Sequence, residues 1–395
     1  MKNFLLLLFI APQFLIAQTA LIPDANFEQK LVTLGLDNAV DGSVLTANVS
    51  SVTDLDISLS NISNLTGIEA FTSLTYLNCS ENNLTSLNVT PILTLEELEC
   101  NGNALTSLNI TPNTNLSYLE AYGNQLTAID VTQNPLLLYL GLDDNNLTAL
   151  NVTLNTSLKE LHCGGNSLST INVSLNTGLE ILDLYSNSLS SINVSSNTAL
   201  KYLGLTLNQL TSIDLSQNVN LEQLKISSNL LTTLSIATCP LLTQINCSNN
   251  LLTSLDLRNG NNANFILLNN GALNNPDLEC INVDNPTYSA ANWGVLFHET
   301  ATYSTNCLLG TDAHLLQSLS IYPNPSNGKV YISSPELVSI NQITILDING
   351  RTIKSVTPET IQDRYEVDLS GINQGIYFAA INSSEGTLTK KIILR

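Results

Sequence analysis

The sequence predicts a stacked parallel-β solenoid of about ten rungs with little helix, capped at both ends and followed by a small all-β sandwich. Three observations predict it. A 21-residue unit recurs through the middle of the chain. Each unit holds two short apolar alternations separated by polar bends, the period-2 signal of extended segments. From residue 318 onward the period is gone, and short apolar runs alternate with Asn-Pro and Asn-Gly turn signals.

The unit at 159–179 reads KELHCGGNSLSTINVSLNTGL, preceded by LYLGLDDNNLTALNVTLNTSL at 138–158 and followed by EILDLYSNSLSSINVSSNTAL at 180–200. A fixed period of about 20–29 residues marks coils that bury their apolar face only by stacking. Leu158, Leu161, Cys163, Asn166 and Leu168 fit the frame L-x-x-L-x-L-x-x-N/C-x-L of leucine-rich repeats. The first rung is 55–57. Nine follow, led by Leu77, Leu98, Leu119, Leu140, Leu161, Leu182, Leu203, Leu224 and Ile245. Parallel strands stack about 4.8 Å apart, so the ten span about 45–50 Å. The second alternation, such as Ile171 and Val173, reads as a further extended piece.

Asn82, Asn103, Asn124, Asn145, Asn166, Asn187, Asn208, Asn229 and Asn250 recur in one phase. An inward Asn at a tight bend pairs backbone groups that would otherwise be buried without partners, so this column is structural. Cys79, Cys100, Cys163 and Cys247 share another phase with Ala121, Leu142 and Leu184, and read as apolar fillers. Cys239 stands where other copies carry Asn197 or Asn218. Cys280 and Cys307 lie beyond the regular repeats and are the disulfide candidates, in an end cap where a staple is useful.

The remaining segments fall into place around the repeats. Residues 1–17 carry Lys2, an apolar run and a small Ala17, the pattern of a secretory signal peptide. Residues 18–52 form an N-terminal cap, with a short amphipathic helix opened by Pro23 and Asp24. The repeats occupy 53–265, a C-terminal cap holding the sole Trp, Trp293, occupies 266–310, and 311–317 is a linker. The last domain, 318–395, has strand signals at 329–332, 342–347, 352–356, 365–369, 375–381 and 387–394.

Composition excludes some functions. The net charge is −20, and between residues 53 and 257 three bases, Lys159, Lys201 and Lys225, face 17 acids. Such a chain lacks the cations that nucleic-acid phosphates and anionic lipid require. No run is long and apolar enough to span a membrane.

The repeats resemble those of bacterial leucine-rich-repeat proteins of the internalin-like, short-repeat kind. The last domain resembles the type A C-terminal sorting domain of the type IX secretion system. Its matching residues are Ile321-Tyr322-Pro323-Asn324-Pro325 with Gly328, Asp347 to Gly350 and Arg351, Gly375 and Tyr377, and the terminal Lys390-Lys391-Ile392-Ile393-Leu394-Arg395. The resemblance implies passage through the periplasm, a secretion translocon as partner, and a final place on the outer surface or in the medium.

The outward strand positions form the concave face of such a solenoid. By phase they include Tyr76, Glu97, Glu99, Tyr118, Glu120, Tyr122, Tyr139, Asp143, Glu160, His162, Asp183, Tyr185 and Tyr202. All six tyrosines of the repeats fall there, and exposed Tyr is a large, rigid, amphipathic contact residue. Glu99 and Glu120 on adjacent rungs lie at a separation that a retaining glycosidase pair or a Ca²⁺ site would use. The ordinary reading is a solvated acidic patch with no cofactor. A further column, Lys159, Glu180, Lys201 and Glu222, alternates in sign. The expectation is an exported binding or adhesion protein with a protein or glycan ligand. A polysaccharide-acting enzyme and a purely structural surface component are the alternatives.

Overall fold

The computed structural model describes residues 18–266, 271–307, 319–338, 340–358, 361–383 and 386–395. The signal-peptide segment 1–17 and the linker 311–317 lie outside them. The chain forms two compact units, Met1–Tyr303 and Ser304–Arg395.

The first unit is a parallel-β solenoid. Ten three-residue strands from Asp54–Asp56 to Gln244–Asn246 make one sheet, with consecutive coils paired in register, for example Leu140 opposite Leu161 and Leu161 opposite Leu182. Each central Leu is fully buried, worth about 1.5–3 kcal/mol per side chain against exposure. The neighbours supply that burial, because one coil has too little interior of its own.

The bends repeat as regularly as the strands. Glu81, Gly102, Gly123, Asp144, Gly165, Ser186, Leu207, Ser228 and Asn249 share one phase and all have positive φ, between 50° and 63°. Next to each stands the ladder Asn. In the central case Asn145 Nδ2 donates to the carbonyls of Ala121 at 3.0 Å and Leu142 at 3.1 Å, while its Oδ1 accepts from Leu126 N at 2.9 Å. The same pattern runs from Asn82 to Asn250. It continues one coil further, where Asn275 donates to Cys247 and Ala272 and accepts from Leu252 N. Gly271 bridges to Asn246 there, so the stacking outlasts the regular spacing.

The second extended piece pairs into a sheet at one end of the solenoid. It becomes a strand only in the last coils, at Thr233–Ser235, Ser254–Asp256, Cys280–Asn282 and Thr302–Ser304, which form a four-stranded sheet. In earlier coils an Asn or Asp, such as Asn151, accepts from the N–H and hydroxyl two residues on. That local turn competes with strand pairing. The turn does not by itself prevent pairing, since Asp256 accepts from Arg258 N and still lies in a paired strand.

Both ends of the solenoid are covered. Asp24 caps the helix Ala25–Thr33, and its second oxygen accepts from Ser63 N and Asn64 N of the first coil. Glu28 on that helix is 1% exposed, and its carboxylate accepts from the N–H groups of Asp41, Gly42 and Ser43 at 2.7–2.9 Å. Glu28→Ala strands the N–H groups of Asp41 and Gly42 and leaves Ser43 N only its weaker bond to Asp41, and is expected to cost about 2–4 kcal/mol. Denaturant unfolding of the full chain checks this. At the other end Trp293 packs against Phe265, Phe297 and Tyr303. Buried His298 joins its Nε2 to Asn275 O at 3.3 Å and accepts at Nδ1 from Thr300 N and Ala301 N, which closes the ladder. Cys280 and Cys307 are disulfide-bonded, while the other five cysteines are buried free thiols. Burial pushes Cys79 and Cys247 up to about 12.

The second unit has two antiparallel sheets, one of three strands (Ser320–Tyr322, Lys329–Val338, Ile361–Asp368) and one of four (Thr352–Val356, Gln342–Leu346, Gly375–Ser383, Gly386–Leu394). Its core includes Val330, Ile332, Ile343, Ile345, Val367, Ala379, Ile381 and Ile392.

Candidate ligand-binding face and sorting signal

The alternation within each strand buries the central Leu and turns its two neighbours outward, which makes the outer rows of the ten-strand sheet. On those rows the tyrosines and acids are paired across coils. Tyr76 OH donates to Glu99 Oε1 at 3.1 Å, and Asn78 Nδ2 donates to Glu99 Oε2 at 2.9 Å. Tyr139 OH reaches Glu120 at 3.5 Å, and Tyr202 OH donates to Asp183 Oδ2 at 3.0 Å. Asp143 accepts from Gly164 N at 2.6 Å. Tyr185 reaches back two coils to Asp144 at 3.4 Å. Gly164 permits that reach, because a Cβ there would lie 2.0 Å from the Tyr185 ring.

The rings of Tyr118 and Tyr139 stack with centroids 4.4 Å apart and an angle of 11°, and His162 lies 5.4 Å beyond Tyr139. His162 Nε2 is 3.6 Å from Glu160 Oε2. Glu97 stands exposed on the outer row, and Tyr122 is 38% exposed. Burial and the charge of Glu99 hold the Glu120 carboxyl above its usual range. Burial raises Asp143 to about 6, against the lowering effect of the Gly164 N–H. Burial also pushes the Tyr118 and Tyr185 phenols up to about 12. A depression of about 490 Å³ lies where Glu160, Asp183, Tyr202 and Glu222 approach one another. Beside the rows, Glu180 sits between Lys201 at 2.6 Å and Lys159 at 3.9 Å. Among the described residues no group of three or more His, Cys, Asp or Glu is placed to hold a metal ion.

A second asparagine column carries weight that the sequence reading did not assign. Asn113, Asn134, Asn155, Asn176, Asn197 and Asn218 are fully buried, and each donates to two carbonyls of the preceding coil, as Asn155 does to Val131 and Asn134 at 2.8 Å. Their 21-residue recurrence was the available signal.

In the second unit the motif at the front of the domain meets the end of the chain. Asn324 Nδ2 donates to Lys391 O at 2.7 Å, and Asn324 Oδ1 accepts from Ile393 N at 2.9 Å. Ser326 N donates to Ile393 O, and Arg395 N donates to Ser326 O. Tyr322 is exposed and its ring lies 6.0 Å from that of Tyr331. Gly328, at φ 120°, sits with its missing Cβ 2.8 Å from Ser370 Cα. Gly350, at φ 78°, completes the turn that pairs Asp347 with Arg351. Gly375 pairs with Leu394, Tyr377 is buried with its hydroxyl donating to Asn373 O, and Lys390 and Lys391 pair with Ala379 and Phe378. Pro323 and Pro325 flank the Asn324 contact.

These features define an exported leucine-rich-repeat solenoid that ends in a sorting domain. The model of the secretion system C-terminal sorting domain matches residues 320–395. That domain sends the chain through the type IX secretion system to the cell surface or beyond. The functional domain of InlJ from Listeria monocytogenes, described as including a cysteine ladder, is similar at 23% identity and TM-score 0.56, over 96% of this chain and 99% of that one. An internalin, InlF, from the same organism is similar at 21% identity and TM-score 0.59, over 73% of this chain and 93% of that one. The Leptospira interrogans leucine-rich-repeat protein LIC12759 shows 20% identity and TM-score 0.53, over 66% and 68%. These likenesses establish the fold. No curated protein matches the chain. Among the described residues no helix is long and apolar enough to cross a membrane.

Proposed function

We propose that the protein is an exported adhesion protein that holds a protein ligand on the outer rows of its ten-strand sheet. The observation that carries this is the organisation of those rows. Tyrosines and acids from separate coils are joined by hydrogen bonds and ring stacking into one preordered surface, whose contact groups lose little further freedom on binding. The sorting domain supports the same reading, since it delivers this surface to where a ligand outside the cell would be met. The double variant Tyr118→Ala, Tyr139→Ala is expected to reach the cell surface or medium at the normal level and to lower adhesion of the host cell by about tenfold or more, the size of a contact hot spot. Adhesion at the native level, with export unchanged, overturns the reading.

A further inference from the structure

We propose that the ligand of this face is a basic, extended polypeptide segment laid across the coils, with its Lys and Arg side chains entering the carboxylate rows. The inference rests on the face being the binding surface and goes on to name the chemistry of what it binds.

The direction of the hydrogen bonds carries the argument. Several polar donors of the rows are spent inward, on the acids themselves. The hydroxyls of Tyr76 and Tyr202 donate to Glu99 and Asp183, and Gly164 N donates to Asp143. A carboxylate has about four lone-pair sites, so each keeps acceptor capacity after receiving one or two bonds. Around these acids the surface therefore offers acceptors, which a ligand rich in donors would meet. Arg and Lys bring several donors each and a positive charge.

Charge points the same way. Lys159 and Lys201 are both engaged with Glu180 at the margin, and Lys225 is the one lysine on the outer rows. Burial and neighbouring carboxylates hold Glu120 and Asp143 above their usual range, a penalty that an approaching cation relieves. The acids are spread along successive coils, and no three of the described metal-ligating side chains gather at one point. A row of side chains on an extended backbone matches that spacing better than a single ion does. The depression at Glu160, Asp183 and Glu222, about 490 Å³, has room for the head of a long side chain, and the lysine on its wall, Lys201, is held by Glu180.

At Tyr139 the aromatic geometry disfavours a stacked sugar. Tyr139 has one face against Tyr118 and the other towards His162, so it turns its edge outward. A pyranose stacks on a ring face, and here that face is covered.

The test uses the full exported chain and a fluorescent peptide of alternating Arg and Ser, read by anisotropy at moderate salt. The variant Glu120→Gln, Asp183→Asn keeps side-chain shape and removes two charges from the face. The control Asp130→Asn, Asp214→Asn removes two charges from the exposed bends, where Asn88, Asn109, Asn151, Asn172 and Asn193 show that Asn fits the same turn. The face variant is expected to bind about tenfold more weakly and the control within about twofold of the native chain. Equal weakening in both, or none in the face variant, overturns the inference. If the tyrosine double variant abolishes adhesion while peptide binding ignores the face, the binding reading stands and the basic ligand falls. If adhesion survives that variant, the binding reading itself falls.

Discussion

A chain carrying Asn324→Ala is expected to remain in the periplasm, with the exported fraction down by tenfold or more. The strand Gly386–Leu394 is an edge strand, paired along its length only with Gly375–Ser383. Its final residues gain a second set of partners from Asn324 and Ser326. Asn324 both donates and accepts, as a backbone strand partner would. Without it the Ile393 N–H and Lys391 C=O lose their partner, and the last residues, including the exposed Lys391 and Arg395, are held only by the strand ladder and Ser326. The local cost is about 1–3 kcal/mol, too little to unfold the domain but enough to free a chain end. A variant that weakens the same domain elsewhere separates the two effects. Val330→Ala, in the core, costs about 1–3 kcal/mol through lost burial and is expected to be exported normally. Cell fractionation with intact-mass measurement reads both. Normal export of Asn324→Ala would mean that the latch is dispensable to sorting.

Asn145→Leu is the second large expected effect. The side chain is central in the ladder, and its loss leaves Leu126 N without its acceptor, while Ala121 O keeps only the Asn124 amide of its two side-chain donors. An orphaned buried N–H is costly, so a loss of about 1–3 kcal/mol is expected for the coils around the site. Because stability passes between neighbours, the two halves of the solenoid should then unfold in separable steps. Asn155→Ile supplies the contrast. It removes a donor from two carbonyls but strands no N–H, and Ile92 already occupies that column in an earlier coil. Its cost should be less than half as large, since a carbonyl left short of partners is tolerated better. Denaturant unfolding followed by hydrogen exchange along the repeats measures both. A single shared transition in Asn145→Leu at native stability would remove the ladder from its assigned role.

How much was legible follows from where the information sits. The ten rungs and the first Asn column were readable because they recur at a fixed spacing, and periodicity survives without knowledge of contacts. The tenth ladder residue was not, because 25 residues separate Asn250 from Asn275 instead of 21. The candidate face was legible as a set of positions and illegible as a pattern of bonds. Which Tyr reaches which acid depends on rotamers, and Tyr185 passes over its neighbouring coil because a glycine happens to lie beneath it. Glu28 showed nothing in the sequence beyond a charge on an amphipathic helix. Its role appears only once the loop at residues 41–43 folds over it. The Pro-Asn-Pro motif and the terminal basic stretch were legible separately, but a contact across 67–69 residues leaves no periodic trace.

The in-register stacking has a consequence for how such a protein can change. Within the regular repeats each coil meets the next through the same strand pairing and the same asparagine, so a unit deleted or duplicated whole leaves the pairing and the ladder as they were. Slippage in the gene by one complete unit is thus a quiet event for folding, while a shift of a few residues would break the ladder at every bond it crosses. The solenoid behaves as a ruler whose length is set by copy number, and the extent of its outer rows can be adjusted in steps without redesigning any part of it.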